Sequence, residues 1–237
     1  MTSTIDGATK PAKKESLLLN MAFNILIPTL VLTKLSGEEY LGIKLAIIVA
    51  LSFPIIYGVR DFLSRGTFNF FSALGIVSVS MTGGISLMEL DAIYIAIKEA
   101  SIPLLFGAAT LVSLKTSQPL IHTLLLNDAI LETDKIAAAL QANNRQPEFN
   151  RLLVNASWIL AGSFLLSAAL NYFLAVYMLT ADPGTQAFNE QLGKMTALSF
   201  PVIAVPAMIV MIGDMFYLFR GIKRITGIPL EEIIKQK

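Results

Sequence analysis

Charged and amide side chains set inside apolar runs are the residues of this chain whose chemistry needs explaining. Lys98 and Glu99 stand within AIYIAIKEASIPLLFGAATL, a stretch otherwise suited to lipid. Asn20 and Asn24 lie four residues apart in a first apolar run, Lys44 lies near the start of a second, and Asn171 lies deep in a later one. Hydrocarbon penalises polar groups that lack partners, so such residues mark either a hydrated solute path or packed contacts between helices. These six form a candidate intramembrane polar site. Arg60 and Asp61, in YGVRDFLSRG, and Asp214 form a second candidate cluster on the cytoplasmic side, with Asp214 expected at the interface near Arg220 or Arg60.

Enzyme chemistry finds little footing. The chain has no cysteine and a single histidine, His122, so neither a thiolate site nor a pair of imidazoles is available to hold a metal. No nucleophile elbow, phosphate loop or zinc motif occurs. The expectation is a non-enzyme with no catalytic residues, no cofactor and no metal.

The elements that must position these residues follow from composition. Of 237 residues, 54% are hydrophobic and 15% charged, against about 25% charged in soluble domains. A net charge of +1 and the lack of a basic stripe exclude nucleic acid as a partner. A helix needs about 20 apolar residues to cross about 30 Å of hydrocarbon. Six runs qualify: 17–35, 41–59, 68–87, 92–114, 156–179 and 197–219. The expected fold is therefore all-α, a polytopic transmembrane helical bundle with six spans plus short interfacial helices. Residues 1–16 form a polar cytoplasmic N-terminus, 17–219 the membrane domain with a cytoplasmic loop at 115–155, and 220–237 an amphipathic cytoplasmic C-terminus.

Orientation follows from Lys and Arg, which favour the cytoplasmic side. Fourteen fall in the N-terminus, the second and fourth loops and the C-terminus; Lys34, Lys44, Lys98 and Lys194 fall on the other side. Both termini are expected in the cytoplasm. In the long loop, SQPLIHTLLLN reads as an interfacial helix. TDKIAAALQANN follows with Thr133 as N-cap and Asn143 or Asn144 as stop, and Pro147 suits the first turn of the next helix.

Within the spans, Ser163, Ser167 and Asn171 form a row expected to face protein, with Phe164 and Phe173 toward lipid. Prolines 28, 54, 103, 201 and 206 are expected as kinks or helix breaks. Adjacent helical residues point about 100° apart, so Lys98 and Glu99 are expected not to bridge each other. Either both charges sit at the outer interface, or Glu99 lies inward and pairs with Lys44 or the Asn20 and Asn24 face while Glu89 or Asp91 serves Lys98.

The segments IYIAIKEASIPLLFGAATLVSLKTSQPLI, LLSAALNYFLA and FNEQLGKMTALSFPVIAVPAMI resemble a family of uncharacterised inner-membrane proteins of Gram-negative bacteria, often labelled automatically as major facilitator transporters. GGISLMELDAIYIAIKEASIP is more distantly similar to intracellular septation protein A. GVRDFLSRG departs from the major facilitator signature, because its Arg and Asp stand in reversed order. The resemblance implies a small polytopic protein of the cell envelope with no catalytic residues to carry over, and the expected role at the bacterial inner membrane is non-enzymatic, in envelope maintenance or assembly. Its expected partners are membrane lipid and either a second copy of the chain or another envelope membrane protein. The rival expectation is a small solute or ion transporter using the polar faces of spans one, three, four and five.

Overall fold

Proline and glycine shape the helices that the apolar runs form. The computed structural model describes residues 17–65, 70–116, 119–121 and 131–235. The N-terminal tail, His122 and most of the expected interfacial helix lie outside the described residues. Among the described residues regular structure is helical, apart from an isolated antiparallel bridge between Leu131 and Ile234.

In chain order the elements are α1 (Leu17–Met21), a π turn (Ala22–Leu26), α2 (Ile27–Lys34), α3 (Ile43–Arg65), α4 (Phe70–Leu87), α5 (Ala92–Ser113), α6 (Thr133–Ala142), α7 (Gln146–Met178), α8 (Gln186–Ser199), a second π turn (Phe200–Ala204), α9 (Val205–Thr226) and α10 (Leu230–Ile233). Among the described residues four helices are long and apolar enough to cross a membrane: Ile43–Arg60, Ala92–Ser113, Gln146–Met178 and Gln186–Thr226. The other two expected spans coincide with shorter apolar helices, Leu18–Lys34 and Ala73–Leu87. Large apolar side chains lie on the outside, among them Phe173, Tyr177, Ile209 and Phe216, an outer surface suited to lipid.

The two π turns share one cause. Ile27 N–H bonds to Ala22 O and Val205 N–H to Phe200 O, each five residues back, and each is followed by proline. Pro28 and Pro206 lack the N–H that an α-helix aims at the carbonyl four residues back, and their rings crowd that carbonyl. Widening the turn relieves the clash. Pro54 and Pro103 lie inside α3 and α5.

The described chain divides into two compact units, one comprising residues up to Asp91 with Leu179–Ala197 and the other Ala92–Met178 with Leu198–Lys237. In the first, glycines let helices close on each other: a Cβ on Gly83 would meet Leu51 at 2.8 Å, and one on Gly193 would meet Thr33 at 2.9 Å. Thr29 Oγ1 donates to Gly193 O at 3.2 Å, joining α2 to α8. Fully buried Asn189 donates from Nδ2 to Ile43 O at 2.9 Å, so the late segment is stitched to the start of α3.

In the second unit α7 is the central helix. It begins at Gln146, ten residues ahead of the expected span, with Pro147 in its first turn. Its 33 residues extend about 50 Å at 1.5 Å per residue. Helix α9 runs antiparallel to it: Gly221 lies against Leu152, Tyr217 meets Asn155, and Ala207 O accepts from Ser163 Oγ at 3.4 Å. Helix α5 packs along α7 with Phe106 stacked on Phe164, ring centres 5.6 Å apart. Phe164 is thus half-buried against protein, not turned to lipid as expected. The cause is Gly107, whose missing side chain lets the two helices close: a Cβ placed there would meet that of Phe164 at 3.3 Å.

One end of this unit carries an apolar core. Ile121, Leu131, Ile136, Leu140, Phe149, Leu152, Leu218, Ile222 and Ile233 pack together there. Glu132 N donates to Ile233 O at 2.8 Å. That bond holds Glu132 outside the helix, so Glu132 rather than Thr133 is the N-cap residue of α6. Asn144, with φ of 51°, closes the turn that follows α6.

Candidate intramembrane polar site

The candidate residues divide between the units. Asn20, Asn24, Lys44 and Arg60 belong to the first; Lys98, Glu99, Asn171 and Asp214 belong to the second. The side chain of Asp61 lies outside the described residues.

In the first unit Asn24 Nδ2 donates to Asn20 O at 2.9 Å and to Asn20 Oδ1 at 3.2 Å. The i, i+4 spacing makes this pair self-sufficient within its own helix. Lys44 Nζ lies 3.1 Å from Glu89 Oε1, both side chains well exposed, so the expected pairing of Lys44 with Glu99 is replaced. Glu89 gains this position from its own turn: it has φ of 55° and packs beside Gly184, where a Cβ would meet it at 2.7 Å. Arg60 is exposed near the end of α3.

In the second unit Lys98 Nζ donates to Glu99 Oε1 at 2.6 Å, contrary to the expectation that neighbours on a helix do not bridge. Their Cβ atoms diverge by about 100°, but the long lysine stem folds back across that angle. The Lys98 side chain is 5% exposed and that of Glu99 27%, so the acid is the less enclosed partner. Asn171 Nδ2 donates to Ser167 O at 2.8 Å. The Phe106–Phe164 stack sets the register here: Glu99 stands two turns before Phe106, and Asn171 two turns after Phe164. The end of α5 reaches the Ile121 and Leu152 core through the bond from Leu120 N to Ser113 Oγ, so the two helices are antiparallel. Glu99 and Asn171 therefore share one level of the α5–α7 seam.

Asp214 departs most from expectation. It is 1% exposed rather than interfacial, and neither carboxylate oxygen has a hydrogen-bond partner among the described residues. Ala207, Asp214 and Gly221 follow one row of α9, seven residues apart. The small residues at either end of that row meet α7 directly, which encloses Asp214 near the level of Ala156 and Leu160.

Sequence reasoning overlooked two polar contacts. Asn155 Nδ2 donates to Tyr217 OH at 3.3 Å, joining α7 to α9, and Asn189 is wholly buried. The apolar neighbours Phe188 and Leu192 around Asn189 are the only hint of its burial in the sequence. Among the described residues no three His, Asp or Glu side chains are grouped as metal ligands. In comparisons with family models, with curated proteins and with solved structures, nothing matches this chain.

Proposed function

We propose that this chain is a multi-pass protein of the bacterial inner membrane, crossing it six times with both termini in the cytoplasm, and that it acts without catalysis in envelope maintenance or assembly. The observation that carries this reading is where the polar side chains of the spans place their bonds. Asn24, Thr33, Thr82, Ser101, Thr110 and Asn171 all donate to a carbonyl four residues back in their own helix. Bonds turned inward on the parent helix suit packing. A solute path needs polar groups of several helices turned toward a shared space.

Transport by a small solute or ion carrier is the second reading. It is favoured by Asp214, buried and without a hydrogen-bond partner among the described residues, and by the two π turns that interrupt long helices. Proteoliposomes holding the purified chain decide between the two. On the first reading their proton and potassium fluxes equal those of empty liposomes, while cells depleted of the chain leak a periplasmic marker. A saturable flux above the empty-liposome level would install the transport reading instead.

A further inference from the structure

Helices α7 and α9 each carry an open row of residues on the same flank of their seam. On α7 the row is Arg151, Asn155, Trp158 and Gly162; on α9 it is Arg224, Arg220, Tyr217 and Gly213. Both rows use steps of four, three and four residues, which keep one face of an α-helix. The hydrogen bond from Asn155 Nδ2 to Tyr217 OH ties the rows together at 3.3 Å, and the antiparallel register sets arginines beside arginines at one end and glycines toward the other. All eight residues are exposed, and Trp158 is 60% so.

The order of chemistry along this flank is that of a phospholipid. Arg151, Arg220 and Arg224 have no ion-pair partner among the described residues, and a guanidinium binds phosphate oxygens in bidentate fashion. Above them come Asn155, Tyr217 and Trp158, side chains suited to the interfacial layer. Beyond these, a Cβ on Gly162 or on Gly213 would meet nothing within 4 Å, so the seam stays open where an acyl chain would lie. From Arg151 to Gly162 the row rises about 16 Å, roughly half of a 30 Å hydrocarbon core, which is the depth of one leaflet.

We propose that this flank is a binding site for an anionic phospholipid of the cytoplasmic leaflet, with its phosphate held by the three arginines and one acyl chain lying along Gly162 and Gly213. It rests on the reading above that α7 and α9 cross the membrane with their basic ends in the cytoplasm. The cluster of exposed arginines favours an anionic headgroup over a zwitterionic one, and the interfacial tyrosine and tryptophan favour a lipid over a free anion.

Trp158 is the sole tryptophan of the chain, so its fluorescence reports the site directly. The full chain in nonionic detergent is titrated with phosphatidylglycerol carrying brominated acyl chains, with the matching phosphatidylcholine, and with inorganic phosphate as competitor. Quenching should saturate at far lower phosphatidylglycerol than phosphatidylcholine, and millimolar phosphate should not reverse it. Each arginine removed should weaken binding about fivefold, and Arg151→Gln, Arg220→Gln and Arg224→Gln together about a hundredfold. Lys223→Gln, off the row at the same helix end, should leave binding within about twofold. Gly162→Leu with Gly213→Leu fills the seam while keeping every charge, and should also abolish selective quenching. Circular dichroism verifies that each variant keeps its helix content. Equal titrations by the two lipids, or unchanged affinity in the triple variant, overturn the lipid site alone. Reversal by inorganic phosphate reduces it to an anion site and likewise overturns it. A chain that stays monodisperse without detergent and binds neither lipid overturns the membrane reading with it.

Discussion

Lys98 places its charge on its own neighbour, and the consequence is local and measurable. Its ammonium is almost fully buried and is held by a carboxylate that is itself only partly covered by protein. Removing one member of a desolvated pair leaves an uncompensated charge at a cost of about 3 to 5 kcal/mol, whereas an exposed pair contributes about 0 to 1. Glu99→Gln should therefore lower thermal stability, toward the lower end of that range because Glu99 is only partly covered by protein, and Lys98→Met combined with Glu99→Met should recover most of the loss. Unfolding followed through Trp158 fluorescence reads both; a Glu99→Gln protein as stable as the parent would show the Lys98 charge to be satisfied elsewhere. The sequence marks Lys98 and Glu99 as residues needing partners, yet it misses the bridge between them and gives Lys44 to Glu99 instead of Glu89. Periodicity carries no information on how far a flexible lysine stem folds back, nor on the left-handed turn that brings Glu89 to Lys44.

Between elements, the α7–α9 seam sets close and open glycines side by side. A Cβ on Gly221 would collide with the Leu152 side chain, whereas one on Gly213 would find open space. Gly221→Val should accordingly destabilise the protein by about 1 to 3 kcal/mol through overpacking. Gly213→Ala should leave stability unchanged or raise it by up to about 1 kcal/mol through helix propensity. Thermal unfolding in detergent compares the two, and equal shifts would contradict the packing described. Hydropathy located most helices well: α5 starts at Ala92 as expected and α4 ends at Leu87. The first ten residues of α7 are marked by Pro147 rather than by hydropathy, and hydropathy misses the amphipathic FNEQLGKM stretch of α8, which mixes charge with apolar side chains. Phe188, Leu192 and Met195 there are buried at helical spacing, a signal that the charges mask when residues are averaged. The prolines were visible, but that Pro28 and Pro206 follow π turns while Pro54 and Pro103 lie in α-helix depends on packing around each ring.

At the scale of the whole molecule, orientation is the property most open to a direct test, because a chain without cysteine accepts single reporters. Cysteines placed at Gly37, Leu90 and Thr185 should react with an impermeant maleimide in intact cells, and one at Thr133 only after the membrane is permeabilised. Labelling at Thr133 from outside would reverse the fourteen-to-four charge argument. The division into units has a further consequence, in the time order of synthesis. The first unit comprises the first three apolar helices and a segment, Leu179–Ala197, that emerges only after residues 92–178. At about 5 to 20 residues per second, that delay is roughly 4 to 17 s. Throughout it, the side of α2 that receives Gly193 and the Ile43 carbonyl that receives Asn189 have no native partner from the chain itself. A pause or cut between residues 92 and 178 would therefore leave the early helices without the bonds to Gly193 and Asn189 that close their unit.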